Sequence, residues 1–312
     1  MVPSPSIGIA KSRISSPQHA PSLVPHRPFS DTRREHSKIS PFTRRLFQLP
    51  TAPSAPSQDY TSLSTFLSYA SRIGLPKSST VYIGTHYEYT VQERLRRAGL
   101  ALDRIGGRDD AGIDLLGTWH LPERTGRRAL RVLVQCKALR TKLGPNLVRE
   151  LEGALRQPPV GWRTGRRPRE ATKGVRDALA RSSFPLFWMM VERDGALRQA
   201  LWNARAEELG LGPLAVETRY AIAGDGVLKE VVFTWDGSDV PGMDEVEQEL
   251  RGAEERWVDA LGQEFRGIEN DVLLDAVEKV FPDGIPGLEV DGIVSEEDRS
   301  RVRQVLQERS SL

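Results

Sequence analysis

The spacing of apolar positions divides the chain into helical and strand-like segments. Between Asp59 and Ile73, Leu63, Phe66, Leu67 and Ala70 recur at helical intervals, and Gly74 followed by Pro76 supplies a stop. Tyr87, Val91 and Leu95 fall four apart and predict a second helix over Thr85–Ala98, closed by Gly99, with Glu88 at the edge of its apolar stripe. Leu100–Ile105 reads as a short strand. Ile113–Trp119 and Ala129–Ala138 read as an antiparallel pair joined by a Pro-, Gly- and Arg-bearing connection, Leu121–Arg128. In the second of these strands, alternation puts Val132, Val134 and Cys136 on one face and Arg131, Leu133, Gln135 and Lys137 on the other.

Farther along, Pro145 opens a helix through Leu155 whose apolar side is Leu147, Val148, Leu151 and Leu155. Pro158–Pro168 reads as a basic, proline-broken loop, and Arg169–Arg181 as a helix with Val175, Ala178 and Leu179 inward. Phe184–Val191 is a dense apolar strand followed by the turn signal Asp194-Gly195. A short helix over Asn203–Leu209 precedes a hairpin, Ala215–Ile222 and Val227–Thr234, around Gly224-Asp225-Gly226. Glu245–Leu261, Ile268–Phe281 and Arg299–Glu308 are helix-like. Two separated apolar strands exclude a helix bundle, and the helices between them exclude an all-β barrel. The order predicts an α/β fold, a mixed β-sheet flanked by helices with appended C-terminal helices.

Charge sharpens this picture, because the net +2 conceals segregation. Residues 1–50 carry eight Lys or Arg against two acids, residues 156–181 repeat that ratio, and residues 236–255 invert it with eight acids against one Arg. Residues 1–57, rich in Pro, Ser and Arg without a continuous apolar stretch, are expected to be a disordered basic segment serving as a mitochondrial transit peptide, with its best short helix at Phe42–Leu49. A generic basic tail is the alternative. The domain boundaries expected are then 1–57, 58–236 and 237–312. The basic middle suits a polyanion, while the acidic C-terminal helices offer a surface for a protein partner. Cys136 is the only cysteine and the five histidines are scattered, so neither an intrachain disulfide nor a cysteine-cluster metal site can form. No apolar run is long enough to span a membrane.

Candidate chemistry gathers between Gly106 and Lys137, with Glu88 as a fourth contributor from the preceding helix. Asp114 offers the hard anionic oxygen that Mg²⁺ or Mn²⁺ takes, Gln135 a neutral amide oxygen, and the Cys136 backbone carbonyl a third ligand. Lys137 is a point charge able to neutralise a phosphate or orient a water. Asp109 and Asp110 read as turn residues supporting the loop before Asp114, and Gly107 and Gly112 as residues that free its backbone. Two of the four have plain alternatives: Glu88 as an exposed helix carboxylate, Lys137 as a solvated head or a partner of Asp114.

Gly84 with Tyr87-Glu88, then Gly107-Arg108-Asp109-Asp110-Ala111-Gly112-Ile113-Asp114, then Val134-Gln135-Cys136-Lys137 resembles the Mrr-like branch of the restriction-endonuclease-like superfamily, whose signature is a strand aspartate followed later by Glu or Gln, any residue, and Lys. More narrowly it resembles the fungal mitochondrial family named for being required for respiratory growth. The resemblance implies a restriction-endonuclease-like fold and a metal-dependent DNA-binding nuclease. Asp114 would be its metal-binding aspartate, Gln135 the second acidic position, Lys137 the catalytic lysine and Glu88 the helix glutamate. Gln135 departs from the commoner carboxylate, which places more weight on Glu88 and on substrate phosphate.

Arg140, Lys142, Arg163, Arg166, Arg167, Arg169, Lys173 and Arg176 would then contact the phosphates of DNA, with RNA as the alternative polynucleotide, and Trp162 has the ring to stack on a splayed base. The competing expectation is a non-catalytic nucleic-acid-binding factor that keeps the fold. His86 and His120 lie near these motifs and have no part in the mechanism.

Overall fold

The structure, a computed structural model, describes residues 39–106, 113–122, 129–137, 148, 149, 152, 165–168, 173–223, 226–281 and 295–310. Its centre is a six-stranded mixed sheet of β1 (Leu100–Arg104), β2 (Leu115–Trp119), β3 (Leu130–Val134), β4 (Gly165–Pro168), β5 (Leu186–Val191) and β6 (Leu197–Trp202), which lie side by side in chain order. The β1/β2, β2/β3 and β5/β6 pairs are antiparallel, and β4 lies parallel to both β3 and β5. The mixed sheet and the β2/β3 pair match the sequence pattern. Two strands do not. Gly165–Pro168 was expected to be loop, yet its backbone pairs with Leu133 and Val134 on one side and with Leu186 to Met189 on the other. Leu197–Trp202 has no strand alternation and extends because the turn at Gly195, with φ +83°, returns it along β5.

Helix α1 spans Pro41–Leu46, α2 Leu63–Arg72 and α3 Thr80–Arg96. α3 starts five residues before the apolar stripe suggests, because the Ser79 side chain accepts the Tyr82 amide at 3.2 Å and caps it. Its Tyr87, Val91 and Leu95 bury against one face of the sheet with Leu115, Val134 and Cys136. The hairpin β7 (Leu214–Ala223) and β8 (Gly226–Trp235), extended by the short β9 (Ser238–Asp239), closes that core with Val231, Phe233 and Trp235. Helix α4 (Lys173–Arg181) covers the opposite face, setting Val175 and Leu179 on Leu116, Leu133 and Trp188. The buried Asn203 joins these layers: its amide nitrogen donates to the Leu179 and Phe184 carbonyls, and its oxygen accepts from the Leu186 and Ala206 amides. Gly117 lets β1 and β2 approach, since a methyl group there would fall 1.8 Å from the Ala101 carbonyl oxygen.

The C-terminal helices α5 (Met243–Leu261), α6 (Asn270–Val280) and α7 (Glu296–Ser310) form a further core around Trp257, Leu261, Phe265 and Leu273. The segment from residue 39 to 50, assigned on charge to a disordered arm, belongs to this core. Phe42 and Leu46 of α1 are buried in it, Arg45 pairs with Asp275 at 2.7 Å and Glu278 at 3.0 Å, and Arg44 pairs with Asp103 at 3.5 Å. The short helix expected at Phe42–Leu49 is present as α1, but its burial was not legible, because its partners lie some two hundred positions away. Residues 1–38, the rest of the expected transit segment, lie outside the described residues. Residues 38–312 form one compact unit, within which Arg96 of α3 pairs with Asp244 and Glu247 of α5, both at 2.9 Å.

Candidate functional site

Asp114 stands immediately before β2 rather than inside it, and backbone bonds fix it on both sides. The Ile105 and Gly106 amides both donate to its carbonyl, at 2.8 and 2.9 Å, and its own amide donates to the Val134 carbonyl at 2.9 Å. The Cys136 amide donates to its Oδ2. The run Gln135–Lys137 likewise begins just past the end of β3, so the candidate ligands sit at strand ends, where backbone groups leave the ladder and become available to other chemistry.

Glu88 reaches the same point from α3. A methyl group placed on Gly106 would lie 3.1 Å from Glu88 Oε2 and 3.4 Å from Asp114 Oδ1, so both carboxylates border this glycine. Between helix and strand stands Arg104, the last residue of β1, which the sequence motifs did not single out. Its Nε donates to Glu88 Oε2 at 2.5 Å, a terminal nitrogen reaches Thr85 Oγ1 at 3.5 Å, and its guanidinium lies over the Tyr89 ring, 5.6 Å from the centroid. Burial, eased by Arg104, pushes the Tyr89 hydroxyl up to about 12. The signal for Arg104 was faint: strand alternation turns it to the face opposite Asp103, and only the helix packing above it supplies an acid for it.

Gln135 is 3% exposed and its Oε1 has no hydrogen-bond partner among the described residues. A buried amide oxygen left unpaired is costly, which makes this atom a receptive ligand. Cys136 buries its side chain among Val132 and Val134, as alternation predicts, and presents its backbone to Asp114. Lys137 is half-buried, with no ion pair among the described residues. The structure therefore brings Glu88, Asp114 and the Cys136 backbone together and sets Gln135 and Lys137 next to them along the chain. Two carboxylates, a buried unpaired amide oxygen and a backbone carbonyl are hard oxygen donors of the sort Mg²⁺ or Mn²⁺ takes. No group of three or more His, Cys, Asp or Glu suited to a metal occurs among the described residues, so such an ion would lean on the amide and on substrate oxygens.

Of the expected phosphate contacts, Arg140, Lys142, Arg163 and Arg169 lie outside the described residues, as do Trp162, Asp109 and Asp110. Arg166 and Arg167 belong to β4, and the register places the Arg166 backbone beside Val134, one residue before Gln135. Lys173 and Arg176 are exposed on α4. The acidic C-terminal helices spend part of their charge internally, on Arg45, Arg96 and Arg309. His86 is held below the usual histidine range first by burial and then by Arg193, and His120 is held down to about 4 by burial and by Arg44. No helix among the described residues is long and apolar enough to cross a membrane.

A family model described as "Required for respiratory growth protein 7" matches residues 79–128 and 124–220, which take in α3, the sheet and most of β7. An uncharacterized mitochondrial protein of Schizosaccharomyces pombe is 37% identical over 97 residues, 30% of this chain and 39% of that protein. The mitochondrial Required for respiratory growth protein 7 of Vanderwaltozyma polyspora is 33% identical over 118 residues, 25% of this chain and 47% of that protein. The chain thus spans less than half the length of the curated relatives it matches. No solved structure matches it. The chain is similar to the Required for respiratory growth protein 7 family through the segment that carries Glu88, Asp114, Gln135 and Lys137, and it is similar to relatives named as mitochondrial.

Proposed function

We propose that this chain is a mitochondrial protein supporting respiratory growth, and that its sheet domain binds a polynucleotide and hydrolyses phosphodiester bonds with Mg²⁺ or Mn²⁺ on a restriction-endonuclease-like scaffold. The mitochondrial part is supported by the names of the relatives. The chemical part is carried by one observation: the Glu88 and Asp114 carboxylates both border Gly106, and the Cys136 amide that bonds Asp114 directly follows Gln135, whose buried side-chain oxygen has no partner among the described residues.

In this reading Asp114, Gln135 and the Cys136 carbonyl hold the ion, and Glu88 orients the attacking water or completes the ligand set. A bound divalent cation supplies charge stabilisation at the phosphoryl oxygen and a more acidic water. Lys137 neutralises the phosphate or steadies the water. The Cys136 amide, donating to Asp114, keeps that carboxylate fixed at the strand end. Basic residues of β4, α4 and the flanking segments hold the polynucleotide through its phosphates, so binding weakens as salt rises.

The test is incubation of the full chain with supercoiled, linear and single-stranded DNA and with RNA, in Mg²⁺ and in Mn²⁺, beside Asp114→Ala and Lys137→Ala proteins. Cleavage that falls about 10²-fold or more in both variants is the result expected. Folded wild-type protein that leaves every substrate intact ends the nuclease reading.

A second reading, a binding factor without turnover, is favoured by the Arg104–Glu88 pair, which satisfies one carboxylate without any metal ion. It expects polynucleotide affinity to survive Asp114→Ala, with no cleavage in either protein.

A further inference from the structure

We infer that Arg104 is the resident counter-ion of Glu88 and sets the affinity of the site for divalent cations, so that capturing an ion means sharing or displacing this guanidinium. The inference rests on reading Glu88 and Asp114 as cation ligands, and it adds a residue that the motifs do not contain.

Three observations carry it. Arg104 Nε bonds Glu88 Oε2, the same oxygen that faces Gly106. The bond therefore occupies the Glu88 oxygen that lies beside Gly106, the residue Asp114 also borders. The pair is also sheltered, at 10% and 13% side-chain exposure, so solvent screens it less than a surface pair. Finally, the guanidinium is held on the helix face formed by Thr85, Glu88 and Tyr89, a fixed neighbour rather than a wandering one. The next residue back, Asp103, is engaged by Arg44 and does not relieve it.

A positive charge bonded to a ligand oxygen repels an incoming cation and competes for that oxygen's lone pairs. Removing the charge while keeping the carboxylates frees the oxygen and leaves two acids beside the same glycine, an arrangement that draws a cation more strongly. A purely structural pair, tying α3 to β1, would affect stability and leave cation affinity alone.

The experiment measures Mn²⁺ affinity of the full chain by calorimetry or by electron paramagnetic resonance, without polynucleotide, with thermal melting as a check of folding. Arg104→Met and Arg104→Gln both remove the charge, and the second retains a hydrogen-bonding head should the first fail to fold. Each is expected to tighten Mn²⁺ binding about tenfold or more, and the gain is expected to vanish in a Glu88→Gln background. Unchanged or weaker binding in the neutral variants, or a gain that persists without the Glu88 carboxylate, overturns the role of Arg104. The reading of the site fails separately, if Mn²⁺ binding in wild type and variants alike is indifferent to Asp114→Ala. Absence of binding in every protein removes both.

Discussion

Glu88 and Asp114 have Gly106 as their common neighbour, and the space between the two carboxylates is the space a side chain at that position would fill. A methyl group there would sit 3.1 Å from Glu88 Oε2 and 3.4 Å from the Asp114 α-carbon. Gly106→Ala is therefore expected to displace the flexible end of Glu88 and leave the strand end in place. Stability should fall by about 1 kcal/mol or less, the range for substitutions outside a rigid clash. Mn²⁺ affinity should weaken clearly, as calorimetry on the folded variant would show. Unaltered affinity would mean that Glu88 does not serve the site.

Gln135 tests the same site from the other side. Its buried Oε1 has no partner among the described residues, and an unpaired amide oxygen of this kind costs about 1–3 kcal/mol. Gln135→Met, close in length and apolar, should raise the cation-free chain's resistance to urea by about 1 kcal/mol while weakening Mn²⁺ binding. A loss of stability instead would show that the amide has hydrogen-bond partners and is a structural residue.

His120 gives the fold a pH dependence of predictable sign. Its folded value near 4, set by burial and then by Arg44, lies below the ordinary 6.5. The unfolded chain thus binds more protons between these values, and stability is full above about pH 6.5 and declines as pH falls toward 4. The contribution is on the order of 3 kcal/mol at most, less for the part of the residue that keeps contact with solvent. Urea titrations of wild type and His120→Gln between pH 7 and about 4.5 should diverge at the upper end and converge at the lower. Parallel curves would exclude the histidine as the cause.

The docking of α1 makes a prediction about the chain's amino-terminal side. Leu46 is fully buried with Trp257, Phe265 and Leu273, so Leu46→Ala should destabilise the C-terminal helices by about 2–5 kcal/mol. Hydrogen exchange should accelerate in α6 and α7 more than in β1–β6. Uniform acceleration throughout would show that the sheet and these helices unfold as one.

What the sequence by itself determined is the local part of this architecture. The four-residue spacing of Tyr87, Val91 and Leu95 and the alternation of Val132, Val134 and Cys136 select helix and strand because they place apolar groups on one face of each element. Side-chain chemistry and the family resemblance put Glu88, Asp114, Gln135 and Lys137 forward as candidates, though neither carried information on distance. The tertiary structure decided what depends on partners far along the chain. Gly165–Pro168 is a strand because β3 and β5 leave it a place between them, and α1 is ordered because it covers the core of α5 and α6. Arg104 shows the same division within the site. Alternation places it at the end of β1, but its partner comes from a helix sixteen residues earlier, and only packing of that helix on the sheet turns an unremarked strand arginine into the counter-ion of Glu88.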